Sequence, residues 1–264
     1  MCKRLGKCMT AKNVIVQVVS TTISIKIVLL TLLLVTGCAN SGVKSSPYQK
    51  DKELVVLAHG LGRSDWAMWR LEQRLEGANY RVCTLDYATI GESIDRVLTE
   101  TSKQIDACLQ NASKAHFVGH SLGGLVIRAY LQQNKDILTK QNVGEIVLMG
   151  TPNKGSELAD YLSDSWLMKI GGEISSALVT GENSLGHNLE ELDVNLGIIA
   201  GTKPSNLTRE YFIGPNDGLV SVESTKLKSM SDFIKIEVTH TQMRYNLEVA
   251  EQTIHFLKHG EFKH

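Results

Sequence analysis

The chain has 264 residues, 42% hydrophobic and 21% charged, with 28 basic against 28 acidic side chains. That is an ordinary globular composition, long enough to bury one sizeable core. The first 37 residues hold Lys3, Arg4, Lys7, Lys12 and Lys26 and no acidic residue, leaving 23 basic against 28 acidic groups in the remainder. A balance of −5 there argues against a phosphate-binding surface, so nucleic acid is excluded as a partner.

Residues 1–37 read as a leader. A basic start is followed by an apolar run from Ile27 to Val35, too short to span a bilayer, and then by Val35-Thr36-Gly37-Cys38. That ending resembles the lipobox of a bacterial lipoprotein signal peptide. The resemblance implies cleavage before Cys38, a diacylglycerol on its thiol and further acylation, palmitate being a typical chain. Each buried CH₂ adds roughly 0.8 kcal/mol, so two or three such chains hold a soluble domain on a membrane without a spanning helix. Ala39 after the Cys, where Asp would suggest inner-membrane retention, implies a bacterial outer-membrane location facing the periplasm. Met9 is an alternative start. Residues 38–52 are polar and small and read as the lipidated Cys with a flexible tether.

From 53 to 264 short apolar runs alternate with helical patterns. Strands are predicted at 53–58, 80–85, 115–119, 145–150, 194–200 and 233–238, without the polar alternation of a half-exposed strand. Ser64 is placed to cap a helix carrying Trp66, Trp69 and Leu75. A second stripe runs through Ile94, Val97, Leu98, Thr101, Ile105 and Leu109, a third helix covers 122–133, and a last one about 244–258. Strand and helix in alternation imply an α/β fold with a mostly parallel sheet of about six strands flanked by helices. The mixed, Gly- and Ser-rich segment 156–193 reads as a small cap inserted over the ligand-binding end. Cys83 and Cys108 are left in the domain, either disulfide-bonded in an oxidising compartment or simply two small buried side chains.

The chemistry-bearing signal is Gly119-His120-Ser121-Leu122-Gly123-Gly124, between a buried strand and a helix. A Gly-x-Ser-x-Gly elbow needs small flanking residues because the turn is tight; it lifts the Ser hydroxyl above the sheet, with the following N–H aimed at the same point. A neutral hydroxyl is a poor nucleophile, so a base must take its proton and a third group must orient that base. His240 stands just past the last predicted strand, whereas His255 falls within a helix and His259 and His264 in the tail. Asp217 lies in a Gly/Pro/Asn-rich loop beyond the strand ending near Ala200. Asp193 precedes that strand and would project from the wrong end of the sheet, and Asp86 is a distant third.

GHSLGG resembles the nucleophile elbow of α/β-hydrolase lipases and esterases, and the likeness extends over 53–260. His59-Gly60-Leu61-Gly62 is similar to the oxyanion segment of that superfamily. Gly150-Thr151-Pro152-Asn153-Lys154-Gly155-Ser156 resembles a stretch of triacylglycerol-lipase-like and GPI-inositol-deacylase-like members. Asn216-Asp217-Gly218-Leu219-Val220 and Val238-Thr239-His240 look like their acid and histidine loops. The resemblance implies an α/β-hydrolase fold and a serine carboxylic ester hydrolase using Ser121, Asp217 and His240, with backbone N–H groups of Leu61 and Leu122 as the oxyanion hole. It suggests a lipid or other apolar acyl ester as substrate. The alternatives are an acyltransferase with the same residues and a non-catalytic envelope binding or chaperone lipoprotein. His59 is expected to orient its loop and His120 to pack behind the nucleophile. Trp66, Met68 and Trp69 read as core packing in preference to an acyl-binding surface. No Cys/His cluster has metal spacing and no cofactor is implied.

Overall fold

Six of the apolar runs lie side by side in one sheet. The computed structural model describes residues 44–45, 51–135, 143–163, 165 and 170–264, so the leader 1–37 and Cys38 lie outside the described residues. The strands are β1 (Lys44–Ser45), β2 (Leu54–Ala58), β3 (Arg81–Thr84), β4 (Ala115–His120), β5 (Val143–Met149), β6 (Leu196–Gly201) and β7 (Asp232–Ile236). Their spatial order is β1-β3-β2-β4-β5-β6-β7, and every neighbouring pair is parallel except β1 against β3. The seventh strand, beyond the about six expected, is the two-residue β1, which pairs Lys44 with Thr84 and Ser45 with Cys83 inside the segment read as a tether.

Successive residues of each central strand serve opposite faces, because strand side chains alternate. Leu54, Val56, Phe117, Ile146, Leu148 and Ile198 pack on one face against α2 (Ile94–Leu109) and α3 (Leu122–Gln133). Val55, Leu57, Val118, Val147, Met149 and Ile199 pack on the other against α1 (Trp69–Gly77) and α5 (Leu247–His259). Burial on both faces is why these runs lack polar alternation. Between β5 and β6 lie α4 (Glu157–Leu162) and single turns at Glu173–Ser176 and Leu185–Asn188. Ser93, Ser156 and Asn246 cap α2, α4 and α5 by accepting from Arg96 N, Ala159 N and Val249 N.

Two local expectations are corrected. Ser64 makes no capping hydrogen bond; Asp65 accepts from Trp66 N at 2.6 Å instead. Residues Asp65–Met68 form a 3₁₀ turn, whose three residues per turn rotate Trp66 away from the stripe that α-helical spacing assigns it. Met68 is buried, but Trp66 is 69% exposed and stacks on Trp69 at 5.9 Å, so core packing does not hold for it. The last helix begins at Leu247, later than the expected 244, because Gln242–Arg244 is a separate 3₁₀ turn and Asn246 restarts the helix as its cap.

Sulfur chemistry is settled by position. Cys83 on β3 and Cys108 on α2 are disulfide-bonded, with Cα atoms 5.9 Å apart. No helix among the described residues is long and apolar enough to cross a membrane.

Candidate active site

Parallel strands end on one edge of the sheet, and that edge collects the residues singled out in sequence. Ser121 follows β4 directly and precedes α3, with φ 57° and ψ −127°. A left-handed backbone is rare for a residue with a Cβ and costs about 1–2 kcal/mol, so the surrounding packing must impose it. The glycines explain how. A Cβ on Gly119 would stand 2.6 Å from Gly124 Cα, one on Gly123 would collide with Ala58 O, and one on Gly124 would meet Thr151 Oγ1. Ser121 N donates to Met149 O at 2.9 Å, anchoring the turn to β5. Leu122 opens α3, so its N–H has no intrahelical acceptor.

Asp217 and His240 meet beyond β6 and β7. His240 Nδ1 lies 2.8 Å from Asp217 Oδ2, and because a carboxylate only accepts, Nδ1–H is the donor and Nε2 is left with a lone pair. Asp217 Oδ1 accepts from Leu219 N at 2.9 Å and Val220 N at 2.8 Å. The two loops are joined again where His240 N donates to Asp217 O at 2.9 Å. Both side chains are almost fully buried.

His120, inside the elbow, donates from Nε2 to the carbonyl of His240 at 2.9 Å, and the two rings lie 4.6 Å apart. Burial, then the neighbouring His240 and Arg244, hold its pKa well below the usual histidine value, so His120 is a neutral donor that braces His240. His59 stacks on Tyr87 at 4.0 Å and faces Gly60 O at 2.9 Å through Nδ1, while Tyr87 Oη donates to His59 O at 2.5 Å. Gly62 N donates to Thr89 Oγ1 at 2.8 Å. These contacts fix the loop that carries Gly60 and Leu61.

Ser121, His240, Gly60 and Leu61 line one cavity of about 200 Å³. Much of its lining is apolar, with Leu158 and Leu162 from α4, Leu178, and Leu219 and Val220 beside Asp217. Segment 156–193 thus supplies much of the wall. Trp66, Met68 and Trp69 lie outside that lining. Among the described residues no group of three His, Cys, Asp or Glu side chains is gathered as for a metal ion.

Two positions that shape the site carried no role of their own in the sequence reading, where Gly150 stands only as part of a family-like stretch. Gly150, with φ 56°, sits under the Asp–His pair; a Cβ there would stand 3.1 Å from Asp217 Oδ2 and 3.2 Å from His240 Nδ1. Arg128 on α3 is fully buried and donates to Asn153 Oδ1, Gly186 O, Leu189 O and Glu190 O at 2.8–3.3 Å. Burial lowers its pKa to about 10 against the pull of Glu191. A signal for Arg128 exists in the sequence: LGGLVIRAYL has no polar face, so a cation within it must find buried acceptors.

A family model described as palmitoyl protein thioesterase matches residues 54–186, half of the chain. Methylesterase 2 of Arabidopsis thaliana is 31% identical over 184 residues, covering 60% of this chain and 69% of that protein. A triacylglycerol lipase of Burkholderia plantarii is 28% identical over 164 residues, covering 58% of this chain and 44% of the lipase. Other curated relatives are spanned less fully, Methylesterase 3 of the same plant over 33% of its length. The mature Bacillus licheniformis lipase BlEst2 superposes with a TM-score of 0.61 at 20% identity, over 76% of this chain and 91% of the lipase, a likeness of fold. With the parallel sheet, the serine elbow after β4 and the family match over residues 54–186, this chain belongs to the palmitoyl protein thioesterase family of α/β-hydrolases, among the esterases and lipases.

Proposed function

We propose that the protein is a serine hydrolase of acyl esters or thioesters, with Ser121 as nucleophile, His240 as general base and Asp217 as the group that orients it. The observation that carries this reading is the Asp217–His240 hydrogen bond at the edge of a cavity shared with a positive-φ serine. His240 Nε2 takes the Ser121 proton as Oγ attacks the acyl carbonyl. The tetrahedral oxyanion is held by the N–H groups of Leu61 and Leu122, a contribution worth about 100-fold to 1000-fold per donor. His240 then protonates the leaving oxygen or sulfur, and water releases the acid from the acyl-enzyme by the same route in reverse. The leucine-lined wall suits an apolar acyl chain, and the name of the matching family adds a thioester to the ester expected from the sequence.

The test uses the full chain in detergent with p-nitrophenyl esters from acetyl to palmitoyl and the matching acyl thioesters, with Ser121→Ala alongside. Activity that disappears in the variant supports the reading, and the preferred chain length separates esterase from lipase. A folded protein that cleaves none of them, and whose Ser121 is not labelled by a fluorophosphonate, overturns it. With a competing alcohol added as acceptor, formation of its acyl ester in place of free acid would identify a transferase.

We further propose that Cys38 carries the lipid anchor, at the bacterial outer membrane and facing the periplasm. Support comes from the lipobox-like Val35-Thr36-Gly37-Cys38 alone. An alkynyl fatty acid fed to bacteria expressing the chain should label it, and Cys38→Ala should abolish both the label and sedimentation with membranes. Unchanged sedimentation would remove the anchor.

A further inference from the structure

Two cations share the cavity with Ser121 and His240. Arg63 comes from the loop between β2 and α1, and Arg244 ends the 3₁₀ turn that follows His240. Among the described residues no Asp or Glu lines the cavity, and neither guanidinium forms an ion pair. Arg63 Nη1 donates to Gly62 O and Arg244 Nη1 to Ala67 O, each at 3.3 Å. Arg244 Nε is buried without a hydrogen-bond partner among the described residues. Arg63 is exposed at the mouth and Arg244 half-buried, so the repulsion between them bears on Arg244, whose buried unpaired donor is costly. Burial and then repulsion from Arg63 pull the Arg244 pKa below its ordinary value, the electrostatic mark of this crowding. A neutral acyl ester would satisfy the leucines of the same cavity and leave both cations unanswered.

We propose that Arg63 and Arg244 form an anion subsite beside Ser121, so that the substrate is an acyl ester whose alcohol portion carries a carboxylate or a phosphate. This rests on the reading of Ser121 as nucleophile and His240 as its proton carrier. The alcohol side follows from that chemistry: His240 hands its proton to the departing oxygen, so the leaving alcohol lies toward His240, and Arg244 is four residues further along the chain. A guanidinium fork matches paired carboxylate or phosphate oxygens and holds its charge at any working pH.

The full chain is assayed with three butanoyl esters, of 4-hydroxybenzoate, of 4-hydroxyphenyl phosphate and of neutral methyl 4-hydroxybenzoate. Wild-type kcat/KM is expected to favour an anionic ester, and the better of the two anions identifies the group. Arg63→Gln and Arg244→Gln should each reduce the anionic-to-neutral ratio about tenfold, the loss of one charge-assisted hydrogen bond, with Arg244→Lys keeping part of it. Calorimetry on Ser121→Ala should show 4-hydroxybenzoate or phenyl phosphate bound, and binding lost when Arg244→Gln is added. An unchanged ratio in all three arginine variants, with no anion bound by Ser121→Ala, overturns the subsite while leaving the hydrolase reading intact. Failure to cleave any of the three esters, with no fluorophosphonate labelling, sinks the hydrolase reading instead, and the calorimetry still decides the subsite.

Discussion

Asp217 reaches His240 with one carboxylate oxygen at 2.8 Å while its other oxygen is already held by the N–H groups of Leu219 and Val220. The acid is therefore aimed by its own loop, and the imidazole is aimed by the acid. Asp217→Asn keeps the shape but presents an amide whose nitrogen cannot accept from Nδ1–H, so the ring loses its tautomer. The expected outcome is a fall in kcat of about 10⁴-fold with KM little changed. Steady-state kinetics on a short-chain ester decides it, and a loss below tenfold would remove Asp217 from its role.

Gly150→Ala tests the space beneath that pair. The new Cβ would crowd Asp217 Oδ2 and His240 Nδ1 at 3.1 and 3.2 Å, on a backbone at φ 56°. Positive φ alone costs about 1–2 kcal/mol in stability, whereas a displaced base costs about 100-fold in rate. Activity at 25 °C should thus collapse in protein whose melting temperature drops only a few degrees. Equal, small effects on both would show that the pair has room to shift.

The disulfide predicts a purely thermodynamic phenotype. Cys83 and Cys108 are 25 residues apart in sequence, and closing a loop of that size removes unfolded-chain entropy worth about 3 kcal/mol. Neither cysteine lines the cavity. Cys83→Ala combined with Cys108→Ala should lower unfolding free energy by about 2–4 kcal/mol and leave kcat unchanged at 25 °C. Denaturant titration and a short-chain ester assay check the two halves.

Three buried histidines set an acid limit. Burial lowers the pKa of His59, His116 and His120 from the ordinary 6.5 in the folded protein. Below that value the unfolded chain binds protons that the native one refuses, so stability is highest above it and is lost as pH falls toward the depressed folded values. The slope is at most about 1.4 kcal/mol per pH unit for each histidine. Urea midpoints should therefore be lower at pH 5.5 than at pH 7.5. A flat profile over that interval would mean that these rings are not held neutral.

Much of this site was legible in the sequence because short-range rules carry it. The elbow needs small residues around Ser121, strands buried on both faces need uninterrupted apolar runs, and the strand-to-loop order confines Asp217 and His240 to particular loops. What was not legible depends on distance or on fine backbone geometry. Trp66 keeps α-helical spacing but occupies a 3₁₀ turn, β1 is too short to show a pattern, and Gly150 matters only because β5, β6 and β7 end together. The choice between a disulfide and two thiols turned on a separation between β3 and α2 that no spacing encodes.

Arg128 joins α3 to the last part of segment 156–193 by gripping the carbonyls of Gly186, Leu189 and Glu190, with Asn153 completing the clasp through Thr225 O. One end of that segment is therefore riveted to the same helix that follows Ser121. A change in the shape of the cavity is met most readily upstream of Gly186, by the stretch bearing Leu158 and Leu162, because the part at the rivet is tied to α3. Variation that reshapes this apolar wall can accumulate there without loosening the turn at Ser121.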